Sequence, residues 1–263
     1  MRRSLPLILF FALASAVVCA QERNSVNLSI GPALPLGEFA SQNGQNAGAG
    51  LAQVGGLLDL SYQHRLGKGS FGLSGELRAR LNPLNEDANM AYAKSLDTGY
   101  TYTVAKKSWE MGGIYVGAYY RSPFVGRLSM EWGVSLGCAD AVLPPTYATA
   151  LRGSVMYPGP GSQDYRVVTS NKVHAITPSA LVKAGLRYPL TPHFSLIAHV
   201  DFCYLKPTFK NVTESVASTQ GLNVPGVYSL SNSTGPVIAY DRTENITQSM
   251  TTLDFAIGLA LKL

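Results

Sequence analysis

Histidine and carboxylate side chains at strand-like spacing are the first feature of this 263-residue sequence that could do chemistry. His199 and Asp201 would share one face of a strand, roughly 6.6 Å apart by strand rise, which allows a hydrogen bond between them. Ser195 lies about 13 Å from His199 along the same strand, so it cannot complete a Ser-His-Asp triad. Any nucleophile would have to come from another element, and we expect His199 to be the structural partner of an interior carboxylate.

The cysteines indicate neither a metal site nor a disulfide. Cys138 and Cys203 match no metal-binding spacing. They are expected to point to opposite faces of strands that are not neighbours, too far apart for a bridge. We therefore predict no catalytic, cofactor-binding or metal-binding residues and no cofactor.

Period-two alternation of apolar and polar residues marks strands with two different faces. It is clear at 70–81, 127–138, 194–204 and 252–263, and fainter at 26–31, 53–62 and 176–188. An eighth segment, about Ser108 to Tyr120, is apolar on both faces, and the pattern assigns it no phase.

Short and long connections alternate between these strands. The short turns are predicted at 65–69, 121–126 and 189–193, and the long segments at 35–50, 82–107, 140–173 and 205–249. This pattern predicts an all-β fold, an eight-stranded antiparallel up-and-down transmembrane β-barrel with short periplasmic turns and long extracellular loops. Within the long segments, we predict one hairpin of 154–157 with 165–169 and another of 227–230 with 236–240.

Aromatic residues flank each predicted short turn, as in the interfacial girdles of membrane barrels. The predicted girdle consists of Tyr62, Phe71, Tyr119, Tyr120, Phe124, Tyr188 and Phe194. In a membrane the apolar strand faces would meet lipid, and the polar faces would line the lumen.

Charges of both signs fall on the predicted inner face. The predicted interior polar network consists of Asp59, Glu76, Arg78, Arg80, Glu131, Lys183, Arg187, His199, Asp201 and Asp254, and Lys262 has the same phase. Eight strands enclose an interior just wide enough for side chains, and buried charges must pair. We therefore expect a salt-bridged plug; a narrow ion path lined by the same residues is the alternative.

The first twenty residues have the pattern of a secretory signal. Arg2 and Arg3 precede an apolar run over 5–18, and Val18 to Ala20 form a small-residue cleavage context. We predict a cleaved signal peptide at 1–20 and a barrel domain at 21–263. Loss of Arg2 and Arg3 lowers the formal net charge from +5 to +3, too little to indicate nucleic-acid binding.

Several segments resemble a known family. Residues 26–31 with 35–40, the hairpin 185–196 and the closing strand 253–263 resemble small outer-membrane barrels of Bacteroidetes-type bacteria, which are similar in architecture to the OmpA transmembrane domain. The closing strand is similar to the signal that the barrel-assembly machinery reads, although Leu263 stands where an aromatic residue is usual. The resemblance implies a Gram-negative outer-membrane location, with lipid, lipopolysaccharide and the assembly machinery as partners.

The favoured function is a non-enzymatic structural or surface-interaction role, in which tyrosine-rich loops contact an extracellular partner. One rival function is that of a lipid A-modifying enzyme, for which His174 has the lipid-facing phase near the outer rim. A small passive channel and an accessory role in secretion or envelope assembly also fit a barrel of this kind.

Overall fold

The computed structural model describes residues 24–263 except 45, 47, 68, 97–100, 146, 153–163 and 219–236. The predicted signal peptide lies outside the described residues. The strands are β1 (Asn24–Leu36), β2 (Gly55–Arg65), β3 (Phe71–Pro83), β4 (Thr101–Val104), β5 (Ser108–Val125), β6 (Leu128–Leu143), β7 (Tyr147–Arg152), β8 (Asp164–Ser170), β9 (Val173–Pro189), β10 (Phe194–Leu205), β11 (Thr208–Ser218), β12 (Val237–Thr247) and β13 (Met250–Lys262). Two helices, α1 (Gly37–Ala40) and α2 (Glu86–Leu96), lie between strands. None of the described helices has the length and apolar character needed to cross a membrane.

Eight of these strands form a closed antiparallel barrel, in the order β1-β13-β10-β9-β6-β5-β3-β2, with β1 also paired to β2. The predicted eight-stranded antiparallel barrel is confirmed. Closure gives the first strand a hydrogen-bonded neighbour on each side, so the sheet has no open edge. This matters for any barrel surrounded by lipid, because lipid offers no partner to backbone polar groups.

The two ends of the barrel differ in their connections. At one end, which we call the turn end, short segments join β2 to β3, β5 to β6 and β9 to β10. The turn between β5 and β6 lies at Gly126 and Arg127, where Gly126 has φ +57°. The prediction of a turn at 121–126 was therefore wrong, because β5 continues to Val125. The chain reverses only at Gly126, since glycine readily adopts the left-handed backbone conformation that the turn needs.

A second, five-stranded sheet in the order β12-β11-β8-β7-β4 lies at the other end, which we call the hairpin end. There β7 pairs with β8, Tyr147 opposite Thr169, and β11 pairs with β12, Thr208 opposite Thr247. One predicted hairpin had the wrong partner: residues 165–169 pair with 147–151, and 166–169 also pair with β11 on the other side, so no free edge is left there for 154–157. Residues 237–240 pair with the end of β11 on one side, and their predicted pairing with 227–230 stays a prediction. The partners predicted for them, 154–157 and 227–230, lie outside the described residues.

Candidate functional site

The wall of the barrel is apolar outside and polar inside, which reverses the usual order of a soluble protein. On β5, Ile114 and Val116 are 63 % and 68 % exposed, and Ile176 on β9 is 80 % exposed. On β2, β3 and β10, the inward-facing Asp59, Glu76 and Asp201 are buried in the lumen. The phase is fixed by register, since a one-residue slip would turn every such side chain to the other face.

The apolar belt has a defined height. On β5 it extends from Ile114 to Phe124, which at about 3.3 Å per residue and a tilt of ~40° corresponds to roughly 25 Å. Towards the hairpin end it stops at exposed polar pairs on the outer surface. Lys172 Nζ lies 2.9 Å from Glu110 Oε2, and His174 Nδ1 lies 3.0 Å from Asp140 Oδ2. The belt has the height of the apolar band of an outer-membrane barrel.

Aromatic residues mark the turn-end border of the belt. Six of the seven predicted girdle residues lie on the outer surface: Tyr62, Phe71, Tyr120, Phe124, Tyr188 and Phe194. The rings of Phe71 and Tyr120 lie 4.9 Å apart across β3 and β5. Tyr119 was wrongly included, because it has the opposite phase and is 4 % exposed inside the lumen. Its ring lies close to Gly72, where a Cβ would come within 2.3 Å of Tyr119 Cζ.

A layer of ionisable side chains fills the middle of the lumen. This charge layer consists of Asp59, Glu76, Arg78, Arg80, Lys183, His199, Asp201 and Asp254, all buried. Arg78 Nη2 donates to Asp201 and to Asp254 Oδ2, the latter at 3.3 Å, and Arg80 Nε and Nη2 donate to the same Asp254 oxygen at 2.8 and 2.6 Å. Each carboxylate therefore faces at least one cation, as buried charge requires.

Lys183 links a further part of the charge layer from the opposite wall. Its ammonium group donates to Glu76 Oε2 at 2.9 Å and to Asp59 Oδ2 at 3.2 Å. Glu76 also accepts from Ser135 Oγ at 3.0 Å. Strands β2, β3, β6 and β9 are thereby joined across the lumen by side chains that are far apart in sequence.

Ser29, together with His199 and Asp201 of the charge layer, has the Ser-His-Asp hydrogen-bond order of a hydrolase triad. Ser29 Oγ lies 2.8 Å from His199 Nε2, and His199 Nδ1 lies 2.9 Å from Asp201 Oδ1. The expected His199–Asp201 contact is present. The sequence pattern did not indicate Ser29, which reaches His199 past Ala256 and Gly258 of the intervening β13. Small residues there leave room for the two side chains to meet.

The surroundings of this triad do not fit catalysis. Ser29 is 2 % exposed, and its hydroxyl also lies 3.5 Å from Asp59 Oδ2. The cavity that His199 lines together with Asp59 and Lys183 has a volume of about 20 Å³, enough for one water and too small for an ester or a peptide. The arrangement therefore satisfies buried polar groups rather than presenting a nucleophile to a substrate.

A second polar cluster lies between the charge layer and the turn end. Arg121 Nε and Nη2 donate to Glu131 Oε2 at 3.0 and 2.7 Å, and Gln63 donates to the other oxygen of Glu131. Arg187 Nη2 donates to Gln63 Oε1 at 2.8 Å and to Asn27 Oδ1 at 3.0 Å. Of these, Glu131 and Arg187 were predicted inside the lumen. Arg121 was not, because it fell within a predicted turn.

Towards the hairpin end, the lumen is filled by apolar side chains instead of charges. This apolar cap consists of Phe39, Ala52, Trp109, Met111, Tyr115, Ala139, Ala141, Ala175, Leu181, Cys203, Leu205, Phe209, Val212 and Met250. Phe39 of α1 and Trp109 pack edge to face with ring centroids 5.6 Å apart, and Trp109 Nε1 donates to Gly50 O at 2.8 Å. The inner face of β5 is thus apolar, which explains why its sequence showed no alternation.

Neither Cys138 nor Cys203 forms a disulfide: Cys138 is exposed on the wall, and Cys203 is buried in the apolar cap. Within the described ranges, no group of three or more His, Cys, Asp or Glu side chains is arranged to hold a metal ion.

Comparison with known proteins gives weak likenesses only. No family model matches the chain, and no curated protein matches it. Among solved structures, Neisserial surface protein A is 11 % identical, with 91 % of this chain and 97 % of that chain covered and a TM-score of 0.43. Ail, the attachment invasion locus protein of Yersinia pestis, is 11 % identical, with 92 % and 100 % covered and a TM-score of 0.38.

A major outer membrane protein from Thermus thermophilus is 9 % identical, with 91 % of this chain and 99 % of that chain covered and a TM-score of 0.38. At such values the assignment of a β-barrel rests on the strand pairing itself. The resemblance to Bacteroidetes-type barrels stays a prediction.

Proposed function

We propose that the chain is a non-enzymatic outer-membrane β-barrel with a plugged lumen, and that it has a structural or surface-interaction role through its hairpin end. The observation that carries the proposal is the reversed burial of the wall. An apolar belt roughly 25 Å high, bordered by aromatic rings, suits a bilayer and would be costly in water.

Two layers of buried side chains support the proposal of a plugged lumen. The charge layer joins side chains of five strands, β2, β3, β9, β10 and β13, across the lumen, and the apolar cap closes it above. Porin channels have about twice as many strands, so an eight-stranded barrel leaves little free cross-section. We expect no stepwise ion current from the purified protein in a planar bilayer.

The hairpin end is proposed to face outwards and the turn end to face the periplasm, as in barrels with short periplasmic turns. The five-stranded sheet would then extend from the cell surface and offer a platform for an extracellular partner. Lipid, lipopolysaccharide and the barrel-assembly machinery are the other proposed partners.

Heat-modifiability tests the membrane-embedded barrel. A closed barrel in detergent keeps its fold until it is boiled, so the gel band of the membrane fraction should shift on boiling. A periplasmic, freely soluble protein with no shift would contradict the proposal.

Sidedness is tested by labelling intact cells with a membrane-impermeant maleimide in a Cys138→Ser background. Thr243→Cys on β12 should be labelled, and Arg127→Cys at the turn end should be labelled only after cell lysis. The opposite pattern would reverse the proposed orientation.

The surface role is tested by replacing residues 214–242, the outer part of the β11–β12 hairpin, with a short turn between Thr213 and Thr243, so that Phe209 and Val212 stay in the apolar cap. Cells carrying the shortened barrel should lose binding to immobilised glycans and matrix proteins that bind cells carrying the full chain. Full binding by the shortened barrel would contradict the recognition role.

A further inference from the structure

The turn end of the lumen opens into a cavity with a volume of about 520 Å³, which we call the basic mouth. Its lining includes five cationic side chains and one histidine: Arg65, Arg121, Arg127, Arg187, Lys262 and His193. Its described lining contains no acidic side chain, and the neighbouring Glu131 is bonded to Arg121. The volume lies within the range of small-molecule sites.

Buried hydrogen-bond donors line the basic mouth without a protein acceptor. Arg187 is 5 % exposed, yet its Nε and Nη1 atoms have no hydrogen-bond partner among the described residues. Ser195 is 1 % exposed, and its Oγ likewise has no partner in the part of the chain that the structure describes. Buried donors are almost always paired in native proteins, so two such side chains on one cavity indicate a group that accepts from them.

The guanidinium groups of the mouth are held in place. Arg187 Nη2 is fixed by Asn27 and Gln63 and lies 3.8 Å from Glu131 Oε2, whereas Nε and Nη1 are buried without a partner among the described residues. Arg121 is fixed by Glu131 and lies over the Tyr119 ring at 5.2 Å. A planar guanidinium with free donors matches the oxygen spacing of carboxylate and phosphate groups.

We propose that the basic mouth is a binding site for a small multivalent oxyanion, a molecule that carries phosphate or carboxylate groups. Arg187 and Ser195 bind one oxyanion group at the base of the mouth, and Arg127 and Lys262, both exposed at the rim, bind a second group. The charge excess attracts the ligand, and the fixed arginines set its orientation. The site is separate from the hairpin end, where we place the surface role.

The test is calorimetric titration of the purified protein in a non-ionic detergent at low salt, with pyrophosphate and citrate as probes. We expect saturable binding of at least one probe. The double substitution Arg127→Gln and Lys262→Gln should weaken it about ten-fold or more, since each removes a charged donor. The matched control is Lys206→Gln with Lys210→Gln, which removes the same charge from exposed positions at the hairpin end and should stay within about two-fold.

Ser195→Ala separates binding from folding. Within the described ranges its hydroxyl has no partner, so the variant should keep the wild-type circular dichroism and melting temperature while binding the probe roughly three- to ten-fold more weakly. Tighter binding of pyrophosphate assigns a phosphate ligand, and tighter binding of citrate assigns a carboxylate ligand; both support the site. Absence of saturable binding, or an equal loss in both double variants, would overturn it.

Discussion

The charge layer and the apolar cap fill the same lumen in two different ways. In the charge layer, Arg78 and Arg80 share Asp254, and Arg78 also contacts Asp201, so each ion depends on the others. In the apolar cap, Phe39 and Trp109 pack by shape, without obligatory partners apart from the indole hydrogen bond. The comparison implies that the charge layer tolerates no loss of a partner, whereas the cap tolerates changes that conserve volume.

The largest expected effect is that of Arg78→Met. Methionine conserves much of the side-chain volume but removes the only arginine that binds Asp201 among the described residues, while Asp254 keeps Arg80. We expect a loss of about 3–5 kcal/mol in the free energy of unfolding, measured by urea titration in lipid vesicles.

Two variants serve as controls for Arg78→Met. Arg242→Met removes an exposed ion pair with Glu244 on β12 and should cost about 0–1 kcal/mol. Met111→Leu conserves volume in the apolar cap and should cost less than about 1.5 kcal/mol. If Met111→Leu proved as costly as Arg78→Met, the proposed difference between the two layers would not hold.

The second prediction concerns the closure of the lumen. Phe39→Ala removes a fully buried ring that α1 inserts into the apolar cap. We expect the free energy of unfolding to fall by about 3 kcal/mol. This is at the low end for a Phe→Ala change, because α1 can undock. Planar-bilayer current should remain at baseline, since the charge layer still closes the lumen below. Stepwise conductance in this variant would show that the cap alone closes the barrel.

The two layers also differ in how far the sequence predicts them. Charged residues such as Asp59 and Lys183 alternate with apolar ones, so their inward phase could be read from the pattern. The inner face of β5 carries Trp109 and Tyr115 opposite an apolar outer face, so alternation disappears there. The same loss of pattern placed Tyr119 on the wrong side of the wall.

Contacts between strands that are distant in sequence could not be predicted, for a different reason. Ser29 and His199 meet because β13 lies between their strands in a particular register, with Ala256 and Gly258 at the crossing point. Likewise, β8 pairs with β7 rather than with the segment just before it. Local turn residues such as the Pro-Gly run at 158–161 indicate that a chain reverses, but not which residues pair across it.

A smaller effect is expected for Ser29→Ala. The variant removes one hydrogen bond to His199 inside the charge layer, so we expect the free energy of unfolding to fall by about 1 kcal/mol. The triad-like order makes a further check possible: a fluorophosphonate probe should not label Ser29 in the folded protein, because Ser29 is only 2 % exposed. Stoichiometric labelling of wild type that Ser29→Ala abolishes would instead show a working nucleophile.

The smallest effect is expected at the outer rim, where His174 pairs with Asp140. Both side chains are exposed, with 57 % and 45 % of their side-chain surface accessible, so the pair should contribute less than about 0.5 kcal/mol. Because we propose a non-enzymatic barrel, His174→Ala should also leave the lipid A mass spectrum of the cells unchanged, as should deletion of the whole chain. A mass change on deletion that wild type restores and His174→Ala does not would favour the lipid A enzyme. It would also mean that the function lies on the outer wall, and not in either layer of the lumen.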